Sequence, residues 1–256
     1  MYPQSRPSQF YTGLIADLYE PLVSERSRAD DYAPFLDRSG TPALELACGS
    51  GSPLLDLVER GYCVEGLDAS EDMLDRCQAR ASERGLEVTL HHAEMQSFAL
   101  PRRYRSIFLA GASFTLLTSD DDAACTLERI HAHLEPGGSA LIPSEIPDLE
   151  RLPKFLGRFR QVETDAGVRL RVGMVALDVS PDQRSLCHRL RYERFPASGE
   201  PEVIERDWRI RWWSQRDFRE MLESAGFERV KLLAPGGGLA RPDATIFVAL
   251  AGRSSG

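Results

Sequence analysis

Short apolar runs alternate with amphipathic segments of helical periodicity between residues 42 and 145. The apolar runs have the length of buried strands, and turn-forming residues bound each of them. They lie at residues 42–47, 62–67, 87–92, 104–110 and 139–144. Strands that alternate with helices are typical of right-handed crossovers, so the pattern predicts a mostly parallel sheet with helices on both faces.

The pattern changes after Pro147. Three longer segments of largely alternating hydrophobicity follow, at residues 168–178, 184–195 and 202–213. Such alternation predicts antiparallel strands with one covered face. A helix capped by Ser214 and two more apolar runs then resume the first pattern. We therefore expect an α/β fold with a doubly wound, mostly parallel seven-stranded sheet and a three-stranded antiparallel insertion.

The same changes of pattern divide the chain into three parts. Residues 1–40 are expected to form an N-terminal helical cap. Residues 41–147 and 214–252 are expected to form the core, and residues 148–213 the antiparallel insertion. An insertion at this place in the chain would act as a lid or a substrate platform over the carboxyl edge of the sheet.

Composition limits the partners and the compartment. The chain has 31 Lys and Arg residues against 39 Asp and Glu, a formal net charge of −8, without a basic block suited to nucleic acid. Its five cysteines are scattered and never at CxxC spacing, which predicts reduced thiols in a cytoplasmic protein rather than disulfides or a zinc site. No run approaches the ~18 apolar residues of a membrane span. We expect a small-molecule partner and no metal, and a homodimer remains open.

Two glycines one residue apart, Gly49 and Gly51, follow the first predicted strand and precede a predicted helix. A bare backbone at such a turn lets a ligand approach closely, while the helix offers its first N–H groups. A P-loop is excluded because no Gly-Lys-Ser/Thr follows. A dinucleotide site is disfavoured, since Leu54 stands where that fingerprint has a third small residue.

The spacing Glu45-x-x-x-Gly49-x-Gly51 resembles the first motif of class I S-adenosylmethionine-dependent methyltransferases. Further motifs extend the likeness over roughly residues 10–250. Asp68 ends the second strand and is followed by ASEDML, AEMQSF stands at 93–98, and IFLAGASFTLL stands at 107–117. The resemblance implies a Rossmann-like methyltransferase fold and S-adenosyl-L-methionine as cofactor.

Residue roles follow from the resemblance. Asp68 would accept hydrogen bonds from both ribose hydroxyls, Glu94 would accept one from the adenine amino group, and Met95 would pack on the ring. The family more often has Asp at the position of Glu94. The cofactor site implied in this way comprises Tyr19, Glu45, Ala47, Gly49, Gly51, Asp68, Ala69, Met73, Glu94, Met95 and Ala110.

Residues 15–36 add a second likeness, to the entrance helices of small-molecule methyltransferases. Antibiotic amino-sugar N,N-dimethyltransferases and glycine/sarcosine methyltransferases are the groups most similar. The likeness implies that Tyr19 and a nearby basic residue, Arg28, hold the cofactor carboxylate. It favours N-methylation of a small molecule in natural product biosynthesis. O-methylation, cofactor binding without methyl transfer, and an NAD-dependent oxidoreductase remain as alternatives.

The expected carboxyl edge of the sheet supplies the candidates for the acceptor site. Tyr11, Ser113, Phe114 and Arg241 are placed there by topology, and Trp208 is a candidate because a tryptophan facing the cavity suits a ring-containing or cationic substrate. Glu145, just past the fifth strand, is the candidate to orient or deprotonate the acceptor. His188 lies in an insertion strand, where either a packed histidine or one facing the substrate is compatible with the sequence.

Overall fold

The computed structural model describes residues 10–23, 28–165 and 167–255. Parts of the predicted cap, residues 1–9 and 24–27, lie outside the described residues. Within these ranges the chain forms six α-helices, which are α1 (Leu14–Val23), α2 (Ala29–Ser39), α3 (Leu54–Glu59), α4 (Glu71–Glu83), α5 (Asp120–His133) and α6 (Gln215–Ser224).

The described ranges also contain eleven strands. In chain order they are β1 (Ala43–Leu46), β2 (Val64–Asp68), β3 (Leu90–His92), β4 (Tyr104–Leu109), β5 (Leu134–Glu145), β6 (Phe159–Glu163), β7 (Arg169–Ser180), β8 (Ser185–Phe195), β9 (Glu202–Arg211), β10 (Lys231–Leu233) and β11 (Ile246–Gly252).

Seven of these strands form one sheet in the order β10-β11-β5-β4-β1-β2-β3. The five strands from β3 to β5 in that order are parallel, whereas β11 runs antiparallel to both β5 and β10. Every residue of β1 is buried, as expected for a central strand covered on both faces. The predicted doubly wound, mostly parallel seven-stranded sheet is confirmed.

The other four strands form a separate antiparallel sheet in the order β6-β7-β8-β9. The sequence prediction of three insertion strands omitted β6. This strand is short, lies at the edge of its sheet and has three exposed residues, so its sequence carries too little hydrophobic alternation to indicate a strand. Strand β5 also begins earlier than expected, because Leu134 pairs with Tyr104 ahead of a register shift.

Helix α1 lies against the insertion sheet. Its apolar side chains Ile15, Leu18 and Leu22 form one buried cluster with Leu170 and Tyr192 of the sheet. Burying this stripe is what stabilises so short a helix, since an isolated helix of this length is marginal in water. The insertion sheet and helix α1 therefore form one layer, whereas α2 packs on the core beside β1 and α3.

Polar contacts attach this layer to the start of α4. The Gly13 N–H donates to the Asp72 carboxylate at 2.6 Å, and the Ser70 hydroxyl donates to the Tyr11 carbonyl at 2.6 Å. Asp17 of α1 accepts from Arg76 of α4 and also, at 3.4 Å, from Arg194 of β8. Asp17 thus joins the cap, the core helix and the insertion sheet.

An aromatic cluster closes the other side of the core. Phe114, in the short 3₁₀ turn after β4, has no exposed surface and packs edge-on against Trp213 and Phe218, with ring centroids 5.3 and 5.1 Å away. Phe218 in turn packs against Phe247 of β11. Phe114 therefore belongs to the core.

In the part of the chain that the structure describes, no helix combines the length and the apolarity that crossing a bilayer would require.

We predict that Phe114→Ala lowers the free energy of unfolding by about 3–5 kcal/mol, because it leaves a cavity among rings that cannot close around it. Urea denaturation followed by circular dichroism measures the change. Ser113→Ala is the matched control. It removes only a long hydrogen bond of 3.4 Å to the Ala110 carbonyl, and we expect a loss below about 1 kcal/mol. Equal losses in both variants would contradict the core placement.

Candidate functional site

A cavity of about 580 Å³ opens at the carboxyl ends of β1 and β2. We call it the first cavity. Seven of the eleven predicted cofactor residues line it, namely Tyr19, Ala47, Gly49, Asp68, Ala69, Met73 and Met95. Two predicted substrate residues, Tyr11 and Ser113, line it as well, with Leu67, Ala93 and Leu116 as apolar neighbours that the sequence did not single out.

The glycine turn after β1 lies at the rim of the first cavity. Gly49 has φ +54°, a conformation that side chains rarely adopt, and a Cβ there would lie 3.3 Å from the Met73 Cε. The Gly49 N–H donates to Asp68 Oδ2 at 2.8 Å. The missing side chain thus keeps open the space between Asp68 and Met73.

Asp68 is held by two backbone donors. Its Oδ2 accepts from Gly49, and its Oδ1 accepts from the Ser70 N–H at 2.8 Å. Burial raises the pKa of this carboxyl, and the backbone donors from Ser70, Gly49 and Ala69 oppose that shift. Because a carboxylate has about four acceptor positions, these backbone donors leave it able to accept from a ligand in the cavity as well. Such a group suits a pair of hydroxyl donors.

Glu45 lies in β1 without exposed surface. Neither of its carboxyl oxygens has a hydrogen-bond partner among the described residues. Burial, followed by the charge of Asp68, raises the pKa of Glu45 well above its ordinary value, which favours the neutral acid. The structure places Glu45 beside the first cavity but not in its lining.

Three other predicted cofactor residues also lie outside the lining of the first cavity. Gly51 faces the protein interior, where a Cβ would lie 2.7 Å from Cys77 Sγ and 2.8 Å from Leu55 Cγ. Its lack of a side chain lets the turn pack on α3 and α4. The carboxylate of Glu94 accepts from Gln96 Nε2 at 2.8 Å, and Ala110 packs against a buried cluster of the core.

A larger cavity of about 1130 Å³ lies under the insertion sheet. We call it the second cavity. Tyr11 and Tyr19 line both cavities, and their rings meet edge-on with centroids 5.4 Å apart. The second cavity is otherwise mostly apolar and aromatic. Its remaining lining residues are Phe10, Leu22, Phe155, Arg158, Phe159, Arg160, Val172, Gly173, Met174, His188, Leu190, Tyr192 and Trp208.

Tyr11 lies at the boundary between the two cavities, and its phenolic hydroxyl stays protonated. Burial is the main reason that its pKa is raised well above the ordinary value, and Tyr19, Tyr192 and Asp68 add to the shift. The nearby Trp208 indole opposes it. Tyr11 is therefore a neutral hydroxyl that can donate a hydrogen bond into either cavity.

Trp208 and His188 lie next to each other in the second cavity. They are register partners on β9 and β8, and their ring centroids are 5.5 Å apart. The structure thus brings the predicted Trp208 to this site and adds His188. Alternation along β8 puts Leu190 and Tyr192 on the same face, a signal that the sequence contained but that needed the position of the cavity to interpret.

The structure does not bring four other candidates to the site. Glu145 is exposed at the end of β5, opposite Ile246. Arg241 is exposed and pairs with Asp243 at 3.4 Å, and Arg28 is exposed and pairs with Asp30 at 3.8 Å. These three line neither cavity, and Phe114 lies in the core.

The described residues contain no group of three or more His, Cys, Asp or Glu side chains arranged to hold a metal ion.

The sheet is doubly wound, with a glycine turn after its first strand, an acid at the end of its second strand and a cavity between them. These features are typical of nucleotide-binding α/β proteins. Residues 43–138 match the family model described as a methyltransferase domain, so this part of the chain is a methyltransferase domain. The predicted family resemblance is confirmed for the region from β1 into β5.

The amino-sugar resemblance is also confirmed. One curated relative is the dTDP-3-amino-3,6-dideoxy-α-D-glucopyranose N,N-dimethyltransferase of Streptomyces fradiae, which is 33% identical over 144 residues. The alignment covers 53% of this chain and 55% of the relative, so the chain spans about half the length of the relative it matches.

Solved structures extend the likeness to most of the chain. The CcbJ methyltransferase from Streptomyces caelestis gives a TM-score of 0.73 at 22% identity, covering 94% of this chain and 96% of the other. The sugar N-methyltransferase KedS8 from Streptoalloteichus gives 0.71 at 20% identity, covering 95% and 94%. At these identities the likeness establishes the fold.

Gly51 and Gly61 offer a matched pair for testing the turn, because their φ angles are +93° and +89°. A Cβ at Gly61 meets nothing within 4 Å, whereas one at Gly51 meets Cys77 and Leu55. We predict that Gly51→Ala destabilises the fold by about 1–3 kcal/mol more than Gly61→Ala, since both share the backbone strain and only one is overpacked. Urea denaturation measures the difference, and equal losses would contradict the packing role of Gly51.

Proposed function

We propose that this chain is an S-adenosylmethionine-dependent methyltransferase that methylates an amine nitrogen of a small molecule in natural product biosynthesis. The observation that carries the proposal is the pair of cavities sharing the rings of Tyr11 and Tyr19. The first cavity offers the Asp68 carboxylate to the methyl donor, and the second has room for the acceptor molecule. A shared wall is what a direct transfer between two bound molecules requires.

The first cavity fits the methyl donor. Asp68 can still accept hydrogen bonds from the ribose hydroxyls, Gly49 leaves the backbone bare, and Met73 and Met95 supply apolar walls. We propose that Glu45 and Glu94 contribute to cofactor binding from outside the lining of the first cavity. Tyr19 contributes from the boundary between the two cavities. S-adenosylmethionine supplies a methyl group activated on a sulfonium. The protein has to hold the two reactants together and exclude water, which suits the closed aromatic boundary.

The second cavity favours nitrogen over oxygen as the acceptor. A hydroxyl acceptor needs a firm base or a metal. The described lining residues of this cavity include no carboxylate, and burial lowers the pKa of His188, which makes it too weak a base for a hydroxyl. Aromatic faces such as Trp208 also stabilise the cationic ammonium that forms when an amine is methylated. The relative from Streptomyces fradiae is named as an N,N-dimethyltransferase of an amino sugar, which supports the same choice.

We propose the division into a cap at residues 1–40, a core at 41–147 and 214–252, and an insertion at 148–213 that covers the acceptor. The cap and the insertion pack on each other through α1, which supports a joint lid. We retain a cytoplasmic protein without a nucleic-acid partner as proposals, supported by the charge of −8 and the free cysteines, and leave a homodimer to be tested.

Calorimetric titration with S-adenosylmethionine, with NAD as the control ligand, tests the cofactor. S-adenosylhomocysteine release is then measured with dTDP-3-amino-3,6-dideoxy-α-D-glucopyranose, glycine, sarcosine and catechol as acceptors. We expect binding of S-adenosylmethionine alone and turnover with an amine. Turnover with catechol alone would replace N- by O-methylation. Binding without turnover would reject the amine proposal for these acceptors and favour a binding protein.

We predict that Asp68→Ala weakens S-adenosylmethionine binding by about 1–3 kcal/mol, a rise in Kd of about 5- to 150-fold, because donors of the ligand lose a buried acceptor. Asp68→Asn keeps one carbonyl oxygen and should lose less. Asp56→Ala is the control, since Asp56 lies on α3 and pairs with Arg84 outside both cavities. Calorimetry measures all three, and unchanged affinity in folded Asp68→Ala would place the ribose elsewhere.

A further inference from the structure

His188 is the polar exception on the cavity face of β8. Leu190 and Tyr192 share that face and line the second cavity with it, and the register partner on β7 is Leu177. The Nε2 atom of His188 is buried and has no hydrogen-bond partner among the described residues. A buried nitrogen without a partner is costly to a fold, so its presence here calls for a ligand that pairs with it.

His188 also lies close to the boundary between the cavities. Its ring is 5.5 Å from that of Trp208, and both rings line the second cavity together with Tyr11, which also lines the first. An acceptor that contacts His188 in the second cavity can therefore extend along Trp208 towards the first.

We propose that His188 binds the acceptor amine in the second cavity and takes up the proton that the nitrogen loses on methylation. This inference rests on the proposed function. In the step, the amine lone pair forms the new nitrogen–carbon bond, the carbon–sulfur bond of the donor breaks, and its electron pair stays on the sulfur. The proton of the resulting ammonium passes to His188 Nε2, so charge and atoms balance.

The surroundings of His188 keep its ring able to accept. Burial lowers the pKa of His188, which favours the neutral imidazole. The titratable groups among the described lining residues are Tyr11 and Tyr19 from the cap, Tyr192 on its own strand, and Arg158 and Arg160 at β6. None of these is an anion that would hold the imidazolium in advance of the reaction.

Two substitutions at His188 separate binding of the amine from uptake of its proton. His188→Phe keeps an aromatic ring without nitrogen, and His188→Gln keeps a hydrogen-bonding group that cannot take up the proton. His131→Phe is the matched control, because His131 is another histidine whose pKa burial lowers, but it packs against Phe227 outside both cavities. Circular dichroism and S-adenosylmethionine titration establish that each variant is folded and binds the donor.

The first acceptor probe is dTDP-3-amino-3,6-dideoxy-α-D-glucopyranose, followed by glycine and sarcosine. We expect His188→Phe to lower kcat/KM at neutral pH on the order of 100-fold, the scale of general acid–base catalysis. The KM for the amine should rise less in His188→Gln than in His188→Phe, and His131→Phe should match the wild type. In the wild type, kcat/KM should fall at low pH because His188 becomes protonated, and this fall should be absent from both His188 variants. A fall caused by protonation of the amine itself would remain in the wild type and in both variants.

Imidazole NMR gives a readout that does not depend on turnover. The chain has five histidines, so His188→Phe assigns the His188 signal by its loss. We expect that signal to titrate below the ordinary histidine range and to shift when the probe amine binds. Wild-type turnover with unchanged kcat/KM in His188→Phe would overturn the role of His188 and leave the proposed function standing. Donor binding without turnover of any probe amine would overturn both.

Discussion

The carboxylate of Asp68 is the contact on which the rest of the site depends. It accepts from Gly49 in the turn after β1 and from Ser70 at the start of α4, so a single side chain fixes two loops at the carboxyl edge of the sheet. Both hydrogen bonds are 2.8 Å long, and a partly buried carboxylate that lost them would be costly. This carboxylate therefore connects the turn and the start of the helix at the wall of the first cavity.

The same helix start also anchors the cap. Ser70 donates to the Tyr11 carbonyl, and Asp72 accepts from Gly13, which places the Tyr11 ring over the first cavity and against the second. The first and the second cavity thus share a wall that one short segment of backbone holds in place.

Local signals predicted the first cavity well. Gly49, Asp68 and Met73 belong to a strand–turn–helix pattern whose geometry follows from a few consecutive residues, and the structure brings them together. The second cavity has no such pattern, because its lining comes from the cap, β6, β7, β8 and β9, and only tertiary packing decides which residues of these strands meet. Glu145 illustrates the limit, since topology gives the correct edge of the sheet but not that this side chain is exposed.

The charges of the two cavities distinguish their ligands. Asp68 is the only charged side chain among the described lining residues of the first, whereas Arg158 and Arg160 provide the charge of the second. A sulfonium with an α-amino group carries positive charge and is favoured beside the carboxylate and disfavoured beside the guanidinium groups. A cation in the first cavity also favours the charged form of Asp68, so binding strengthens the acceptor that receives it. This difference in charge supports the proposal that the methyl donor binds in the first cavity rather than in the second.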